Sequence, residues 1–236
     1  MDIILIPGLW LDGTSWNKVV PLLDDAGHRT HPVTLPGMEH KDAYRSRITL
    51  RDHVEAVVEV IDALNPVHGA VVLVGHSGGG AIAHAAVDAR PDRVARVVYV
   101  DSWPLGDGGI INDELPVENG EIPLPDWSYF ADEDLVDLDE NLRTWFRGRA
   151  IPSPARVPSD RQQLRDERRY NVPVTVIACE FPAATLRAWV AGGEAALQEL
   201  ARISDVTYVD LPTGHWPQFT RPKDLGQVIL ASVTGR

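Results

Sequence analysis

Five apolar segments of strand length recur along the chain, and they constrain its fold more than any other feature. Residues 3–6, 70–74, 94–100, 174–178 and 206–209 are largely aliphatic. Most of them lack the alternation of polar and apolar residues that is typical of a sheet with one solvent-exposed face. Strands that are buried on both faces occur in parallel sheets covered by helices. These segments therefore predict a mostly parallel central sheet.

Helical patterns lie between the predicted strands. The clearest begins at Thr49, has Asp52 three residues later in the position of a capping box, and ends before Pro66. A second helix is predicted over residues 78–89 and a third over residues 16–26. Strands that alternate with helices predict the α/β class, with helices flanking the sheet.

The segment from residue 102 to 170 interrupts this alternation. It contains a glycine-rich turn, an acidic run and several prolines, and it is too long and too aromatic for a linker. We therefore predict that residues 1–101 and 171–236 form the α/β core. Residues 102–170 are predicted to form an inserted lid of short helices and loops over one end of the sheet.

The charge balance limits the expected partners. The chain has 22 Lys and Arg residues against 34 Asp and Glu residues, which gives a net charge of −12, so nucleic acid and anionic membranes would be repelled. No apolar run approaches the ~20 residues of a membrane helix. The N-terminus lacks the features of a signal peptide, and the lone Cys179 forbids an intrachain disulfide. We expect a cytoplasmic protein that acts on a small molecule; the sequence does not indicate its oligomeric state.

The strongest functional signal is the G-x-S-x-G motif at residues 75–79, which lies between a predicted strand and a predicted helix. A serine on such a tight turn has a strained backbone and an exposed hydroxyl, and the glycines let neighbouring backbone approach. The turn also puts Ser77 at a helix N-terminus, where the Gly78 N–H can donate to an oxyanion. The motif thus predicts Ser77 as a nucleophile and Gly78 as an oxyanion donor.

His215 is the best placed of the eight histidines to act as the general base that a serine nucleophile needs. It follows the last predicted strand, on a loop at the carboxyl edge of the sheet, where the active sites of α/β proteins gather. His76 adjoins Ser77 in sequence, but its side chain is expected to diverge from the hydroxyl across the turn. Since the chain has no H-E-x-x-H, paired-cysteine or nucleotide-binding motif, no metal or cofactor is expected.

Four short motifs spread over nearly the whole chain point to one family. They are Ile-Pro-Gly-Leu-Trp at residues 6–10, Pro-Leu-Leu at 21–23, Gly-His-Ser-Gly-Gly at 75–79 and Gly-His-Trp at 214–216. Together they resemble the α/β-hydrolase superfamily, and most closely its small esterase and hydroxynitrile lyase branch. The resemblance implies the α/β-hydrolase fold and a triad of nucleophile, histidine and acid. It also implies that the N–H of Leu9 joins that of Gly78 in the oxyanion hole.

The triad acid is where the sequence departs from this family. Most relatives carry an aspartate just beyond the strand that corresponds to residues 174–178, and this chain has none there. Asp101 directly follows the strand at residues 94–100 and resembles the acid of hydrolases that carry it at that point. Glu180 lies near the usual place, and its longer side chain is the alternative. We prefer Asp101, with Glu180, an acid-less dyad or another carboxylate left open.

Three tryptophans adjoin the predicted site loops, namely Trp10, Trp103 and Trp216. They predict a wall for a bulky apolar substrate group, although seating the lid is an equal alternative. The expected function is therefore a serine esterase that cleaves a carboxylic ester, thioester or lactone with such a group through an acyl-enzyme. A ligand-binding protein and a hydroxynitrile-lyase-like enzyme on the same fold are the alternatives. The lyase would need a lysine near the site, and the few lysines lie off these loops.

Overall fold

A parallel six-stranded sheet forms the centre of the computed structural model, which describes residues 1–234. Residues 235 and 236, which end the predicted core segment 171–236, lie outside the described residues. The strands are β1 (Asp2–Ile6), β2 (Arg29–Pro32), β3 (Val71–His76), β4 (Val94–Val100), β5 (Glu121–Ile122), β6 (Ser153–Pro154), β7 (Val174–Ala178) and β8 (Val206–Asp210). The central sheet has the order β2-β1-β3-β4-β7-β8, and β5 pairs with β6 in a separate antiparallel hairpin. The predicted parallel sheet is thus confirmed, and each of the five apolar segments forms one of its strands.

The helices lie between the strands, as the sequence predicts. They are α1 (Val20–Asp25), α2 (Leu50–Ala63), α3 (Gly78–Ala89), α4 (Glu140–Arg149), α5 (Arg156–Ser159), α6 (Ala183–Gly192), α7 (Gln198–Ala201), α8 (Pro217–Thr220) and α9 (Pro222–Thr234). The Thr49 and Asp52 capping box is present at the start of α2. The helix predicted over residues 16–26 is wrong at its start, because α1 begins at Val20 and leaves Pro21 in the first turn. Proline is tolerated there, since that N–H has no partner within the helix.

The side chains of alternate strand residues pack in two hydrophobic cores, one on each face of the sheet. On one face, Ile4 packs in the same cluster as Val57 of α2 and Ile82 of α3. On the other face, Leu5 shares a cluster with Ile229 of α9. The edge strands are less buried: β8 is half-exposed, and β2 is polar and was not predicted.

Residues 102–170 lie against the carboxyl ends of the parallel strands. The Ile151 N–H donates to the carbonyl of Trp10 (3.0 Å), and the His215 N–H donates to the carbonyl of Asp134 (2.8 Å). Trp10 also donates its N–H to the hydroxyl of Ser153 (2.8 Å). This segment therefore covers the edge of the sheet at which β1 and β8 end. Within residues 1–234, none of the helices has the length and apolar character needed to cross a membrane.

Candidate active site

Ser77 occupies a strained turn between β3 and α3. Its backbone has φ 53° and ψ −128°, a region that non-glycine residues rarely adopt. The turn is packed so closely that a Cβ on Gly79 would lie 2.6 Å from the carbonyl oxygens of Ile6 and Pro7. Only glycine allows this approach of β1 to the helix, and the result is a serine hydroxyl held at the carboxyl end of the sheet.

His215 joins Ser77 to an acid in one hydrogen-bonded chain. The Nε2 atom of His215 lies 2.8 Å from the Oγ of Ser77, although the two residues are 138 positions apart. The Nδ1 atom of His215 lies 2.6 Å from Oδ2 of Asp101. The other Asp101 oxygen accepts the backbone N–H groups of Cys179 and Glu180, each at 3.2 Å. The structure therefore brings together the three residues that the sequence suggests as nucleophile, base and preferred acid.

Glu180, the alternative acid, also lies beside His215. Its Oε1 is 2.8 Å from Nδ1, but the Nδ1–H bond is directed at Asp101, and Oε1 has no aligned donor among the described residues. Because one ring nitrogen carries one proton, only one of the two carboxyl groups accepts it. Asp101 has the hydrogen-bonding position of a triad acid, and Glu180 stands next to it.

The surroundings of the two acids shift their pKa values in opposite directions. Burial would raise the pKa of Asp101, but its hydrogen bond to His215 and the charge of that ring hold the pKa below its usual value. Burial and the nearby Asp101 charge raise the pKa of Glu180 to about 8, against a weaker opposing effect of His215. Burial alone would lower the pKa of His215, but its hydrogen bond to Asp101 and the closeness of both carboxyl groups raise the pKa. The surroundings therefore favour the ionised form of Asp101 and the neutral form of Glu180.

His76 holds the backbone of the loop that carries His215, a role that the sequence did not indicate. Its Nε2 lies 2.6 Å from the carbonyl oxygen of His215, and its Nδ1 lies 3.3 Å from Nε2 of Gln218. Burial lowers the pKa of His76 to about 3, so the ring is neutral. A neutral ring has one N–H, which donates to the His215 carbonyl, and one bare nitrogen, which accepts from the Gln218 amide. Gln218 thus fixes the tautomer of His76 that holds the His215 carbonyl.

Replacing Gln218 with leucine is expected to lower kcat by about twofold to tenfold, the range set by one net hydrogen bond, while KM changes little. The loss arises because His76 is then free to flip and release the His215 carbonyl. Steady-state kinetics with a small ester would measure it. Gln227→Leu is the matched control, since Gln227 is exposed on α9 away from the site. An unchanged kcat in a folded Gln218→Leu protein would contradict the clamp.

Leu9 and Gly78, whose N–H groups are predicted to form the oxyanion hole, lie side by side, since a Cβ on Gly78 would be 3.6 Å from Cγ of Leu9. Gly8 packs directly on the turn, since a Cβ there would lie 2.8 Å from the Cβ of Ser77. Within residues 1–234, neither the Leu9 nor the Gly78 N–H donates to another protein group. Ser102 donates its hydroxyl to the Ser77 carbonyl (2.7 Å), which supports the turn from β4. Both amides of the expected oxyanion hole are therefore available to a ligand.

A cavity of about 190 Å³ opens at Ser77. Hollows of about 460 Å³ and about 290 Å³ elsewhere on the surface do not border the serine. The cavity wall includes Trp103, one of the three tryptophans expected to contact substrate. The residues that line the cavity are Ser77, Gly78, Ala81, Asp101, Ser102, Trp103, Leu105, Ile111 and His215.

The other two expected substrate contacts, Trp10 and Trp216, do not line this cavity. Their side chains are buried, with 6% and 1% exposure. The Trp216 ring centroid lies 5.3 Å from those of both Phe130 and Phe146, and the Trp10 indole N–H donates to the carbonyl of Ile122 (3.1 Å). The geometry therefore favours a structural role for both, holding residues 102–170 on the core.

The donor atoms of Asp101, Glu180 and His215 lie within 4.8 Å of one another, a spacing that also suits a metal ion. The two ring nitrogens of His215, however, are directed at Asp101 and Ser77. This is the geometry of a hydrogen-bonded relay rather than of a ligand set.

Comparison with known proteins identifies relatives over most of the chain. A family model described as the alpha/beta hydrolase family matches residues 3–228. The chain is 35% identical over 99 residues to a pyrethroid hydrolase of Sphingobium wenxiniae, and 32% identical over 100 residues to polyneuridine aldehyde esterase of Rauvolfia serpentina. Each alignment covers 42% of this chain, and 35% and 38% of those relatives. The match thus spans little more than a third of their length.

Solved structures resemble the whole chain at lower identity. A methylesterase of Arabidopsis, MES16, superposes with a TM-score of 0.77 at 18% identity and covers 100% of both chains. An extracellular alpha/beta-hydrolase of a Paenibacillus species gives a TM-score of 0.76 at 20% identity, with 98% of both chains covered. At these identities the likeness shows a shared fold.

Proposed function

The chain belongs to the alpha/beta hydrolase family, and on that premise we propose that it is a serine hydrolase that cleaves carboxylic esters through an acyl-enzyme. The observation that carries the proposal is the continuous hydrogen-bonded chain from Ser77 through His215 to Asp101. Such a chain makes a serine hydroxyl nucleophilic at neutral pH. Relatives named as a pyrethroid hydrolase, an aldehyde esterase and methylesterases support an ester as the substrate class.

In the proposed mechanism, the Ser77 oxygen attacks the ester carbonyl while Nε2 of His215 takes its proton. Asp101 accepts the Nδ1–H throughout, which holds the ring in the tautomer that leaves Nε2 bare and stabilises the imidazolium once it forms. The Leu9 and Gly78 amides donate to the oxyanion of the tetrahedral intermediate. His215 then protonates the departing alcohol, leaving an acylated Ser77. Water, activated by the same base, releases the carboxylic acid.

The proposed substrate group is apolar and of moderate size. A cavity of about 190 Å³ is comparable with one of roughly 150 Å³ that binds benzene in another protein. Its wall combines the apolar side chains of Trp103, Leu105 and Ile111, all from residues 102–170. This contribution supports a role for residues 102–170 as a lid that sets selectivity. Because Trp10 and Trp216 are engaged elsewhere, the group is smaller than three tryptophans would suggest.

Replacing Trp103 with alanine is expected to lower kcat/KM for p-nitrophenyl benzoate by about tenfold, since a lost apolar contact of this size costs on the order of 1–3 kcal/mol. Hydrolysis of p-nitrophenyl acetate should change much less, because a methyl group does not reach the indole. The ratio of the two rates is the measurement, and the acetate serves as the internal control. An unchanged ratio would mean that the wall of the acyl site lies elsewhere.

The proposed function is tested by labelling the protein with a fluorophosphonate probe and by assaying p-nitrophenyl esters of increasing chain length. We expect covalent labelling at Ser77, identified by peptide mapping, and turnover that the probe abolishes. A folded protein that is neither labelled nor active on any ester would overturn the proposal. That result would favour a protein that uses the same cavity to bind a ligand.

A further inference from the structure

Two carboxyl groups crowd one nitrogen of His215, and the crowding points to a shared proton. We propose that Glu180 is a protonated carboxylic acid that donates a hydrogen bond to Asp101, so that the two residues act as one singly charged partner of His215. Glu180 is thus a positioning residue that acts through Asp101. Its catalytic consequence rests on the proposed function, but the hydrogen bond itself does not.

The distances and the burial of the pair require a proton between the two acids. Oδ2 of Asp101 and Oε1 of Glu180 lie 2.6 Å and 2.8 Å from the same Nδ1 atom, and the two side chains are only 10% and 15% exposed. One oxygen of each carboxyl group and the His215 nitrogen all lie within 4.8 Å of one another. Two ionised carboxylates this close and this shielded from water repel strongly, so one of them retains its proton.

The hydrogen-bond partners decide which acid holds that proton. Asp101 accepts the Nδ1–H of His215 and the N–H groups of Cys179 and Glu180, so its oxygens already face three donors. Glu180 Oε1 has no aligned donor within residues 1–234. Donors stabilise the ionised form of an acid, and burial without them stabilises the neutral form. The proton therefore belongs on Glu180, directed at Asp101.

The remaining ionisable groups around the pair leave this assignment intact. His76, on the opposite side of His215, is neutral because burial lowers its pKa. Burial and the two carboxyl groups raise the pKa of the Cys179 thiol, which therefore stays protonated. Asp210, at the end of β8, accepts the Ala183 N–H (2.7 Å). Among residues 1–234, the cation within ion-pairing distance of Glu180 is thus His215 itself, at 2.8 Å.

The location of the proton has a direct effect on the base. If Asp101 and Glu180 were both ionised, two negative charges would hold a second proton on Nε2 of His215. An imidazolium cannot accept the proton of Ser77, so the nucleophile would stay inactive. With the proton on Glu180, one negative charge rather than two lies beside the ring, so the Nε2 proton is held less tightly. Glu180 therefore makes His215 easier to deprotonate, while its hydrogen bond orients Asp101.

Infrared spectroscopy tests the protonation without relying on catalysis. The full-length Ser77→Ala protein is compared with the same protein carrying Glu180→Gln. We expect the C=O stretch of a protonated carboxylic acid at pH 7 in the first protein and its loss in the second. Glu194→Gln is the matched control, because Glu194 is exposed and its replacement removes no such band. Spectra that lack a protonated carboxyl band at pH 7 would overturn the proposal.

The pH profile of ester hydrolysis tests the consequence for the base. Glu180→Gln keeps a neutral donor to Asp101, so kcat/KM at pH 7 should stay within about threefold of the parent value. This decrease is smaller than the decrease expected when a hydrogen bond to a charged group is lost. The acidic limb of the profile, on which His215 loses its proton, should have the same apparent pKa in the parent and in Glu180→Gln, because a protonated Glu180 adds no negative charge beside the ring. A limb that moves to lower pH in Glu180→Gln would mean that Glu180 is ionised in the parent and would overturn the proposal. Glu180→Leu, which has no donor, should be slower than Glu180→Gln at pH 7. If kcat/KM of Glu180→Gln instead fell to a small fraction of the parent value, Glu180 would be the ionised acid and the proposal would be wrong. If the parent protein were inactive on all esters, the proposed function would be refuted, but the infrared result would still test the protonation of Glu180.

Discussion

Ser77→Ala is expected to lower kcat for ester hydrolysis by about 10⁶-fold, the scale seen when the nucleophile of another serine hydrolase is removed. The variant keeps the cavity, the backbone amides of Leu9 and Gly78, and the His215 to Asp101 hydrogen bond. What it lacks is the oxygen that lies 2.8 Å from Nε2 and forms the acyl bond. Substrate binding should therefore persist, and the residual rate should reflect only the oxyanion donors and proximity.

Steady-state and single-turnover assays with a p-nitrophenyl ester measure this loss, together with fluorophosphonate labelling, which should disappear. Ser232→Ala is the matched control, since that hydroxyl donates to the Val228 carbonyl within α9 and is remote from the site. His215→Ala should be similarly inactive, and the double variant should fall little further, because residues that act as one unit are not additive. A Ser77→Ala protein that retained a tenth of the parent activity would place the nucleophile elsewhere.

The fold could be predicted where burial dictates residue type. Strands β3, β4 and β7 are largely buried on both faces, so they are mostly aliphatic and were recognisable as strands. Strand β2 could not be found this way, because it is a polar edge strand. It pairs with β1 through its backbone, and the side chains of Arg29 and His31 lie 2.6–2.9 Å from the Asp2 carboxylate. Such an attachment depends on a residue far away in the sequence and leaves no local pattern.

Within the candidate site too, some residues could be predicted from local sequence and others could not. Ser77 and His215 could be assigned from short motifs, since the turn that each needs is encoded by its immediate neighbours. The choice between Asp101 and Glu180 depends on how the ends of β4 and β7 meet, which no local pattern records. The structure shows both acids at one nitrogen, a possibility that a search for a single acid does not consider.

The tryptophans show that adjacency in sequence does not fix the direction of a side chain. Trp10 follows the expected oxyanion residue directly, but its backbone has φ 64°, and its indole is turned into the cluster around Phe130. Trp216 follows His215 and is likewise buried. Trp103 alone of the three faces the cavity. The aromatic residues next to the site therefore serve mainly to hold residues 102–170 in place, and only part of that segment shapes the cavity.

Asp101→Asn is expected to lower kcat at pH 7 by about 10⁴-fold, as the equivalent change does in another serine hydrolase, because the amide favours the wrong tautomer of the base. The change also removes the charge that raises the pKa of Glu180. Glu180 can then ionise more readily, and its Oε1 lies 2.8 Å from Nδ1. Asp101→Asn should therefore recover part of its activity as the pH rises and Glu180 ionises.

The pH dependence of kcat in the parent, in Asp101→Asn and in the Asp101→Asn, Glu180→Gln double variant tests whether Glu180 provides this recovery. If Glu180 provides the recovery, the Asp101→Asn, Glu180→Gln double variant should stay inactive at every pH. Asp210→Asn is the matched control for removing a carboxylate at a strand end, since Asp210 binds the Ala183 N–H and not His215. Near-normal turnover in Asp101→Asn at pH 7 would mean that Glu180 is the working acid. The family's usual place for the acid, after β7, would then be retained here with a longer side chain, and Asp101 would only orient it.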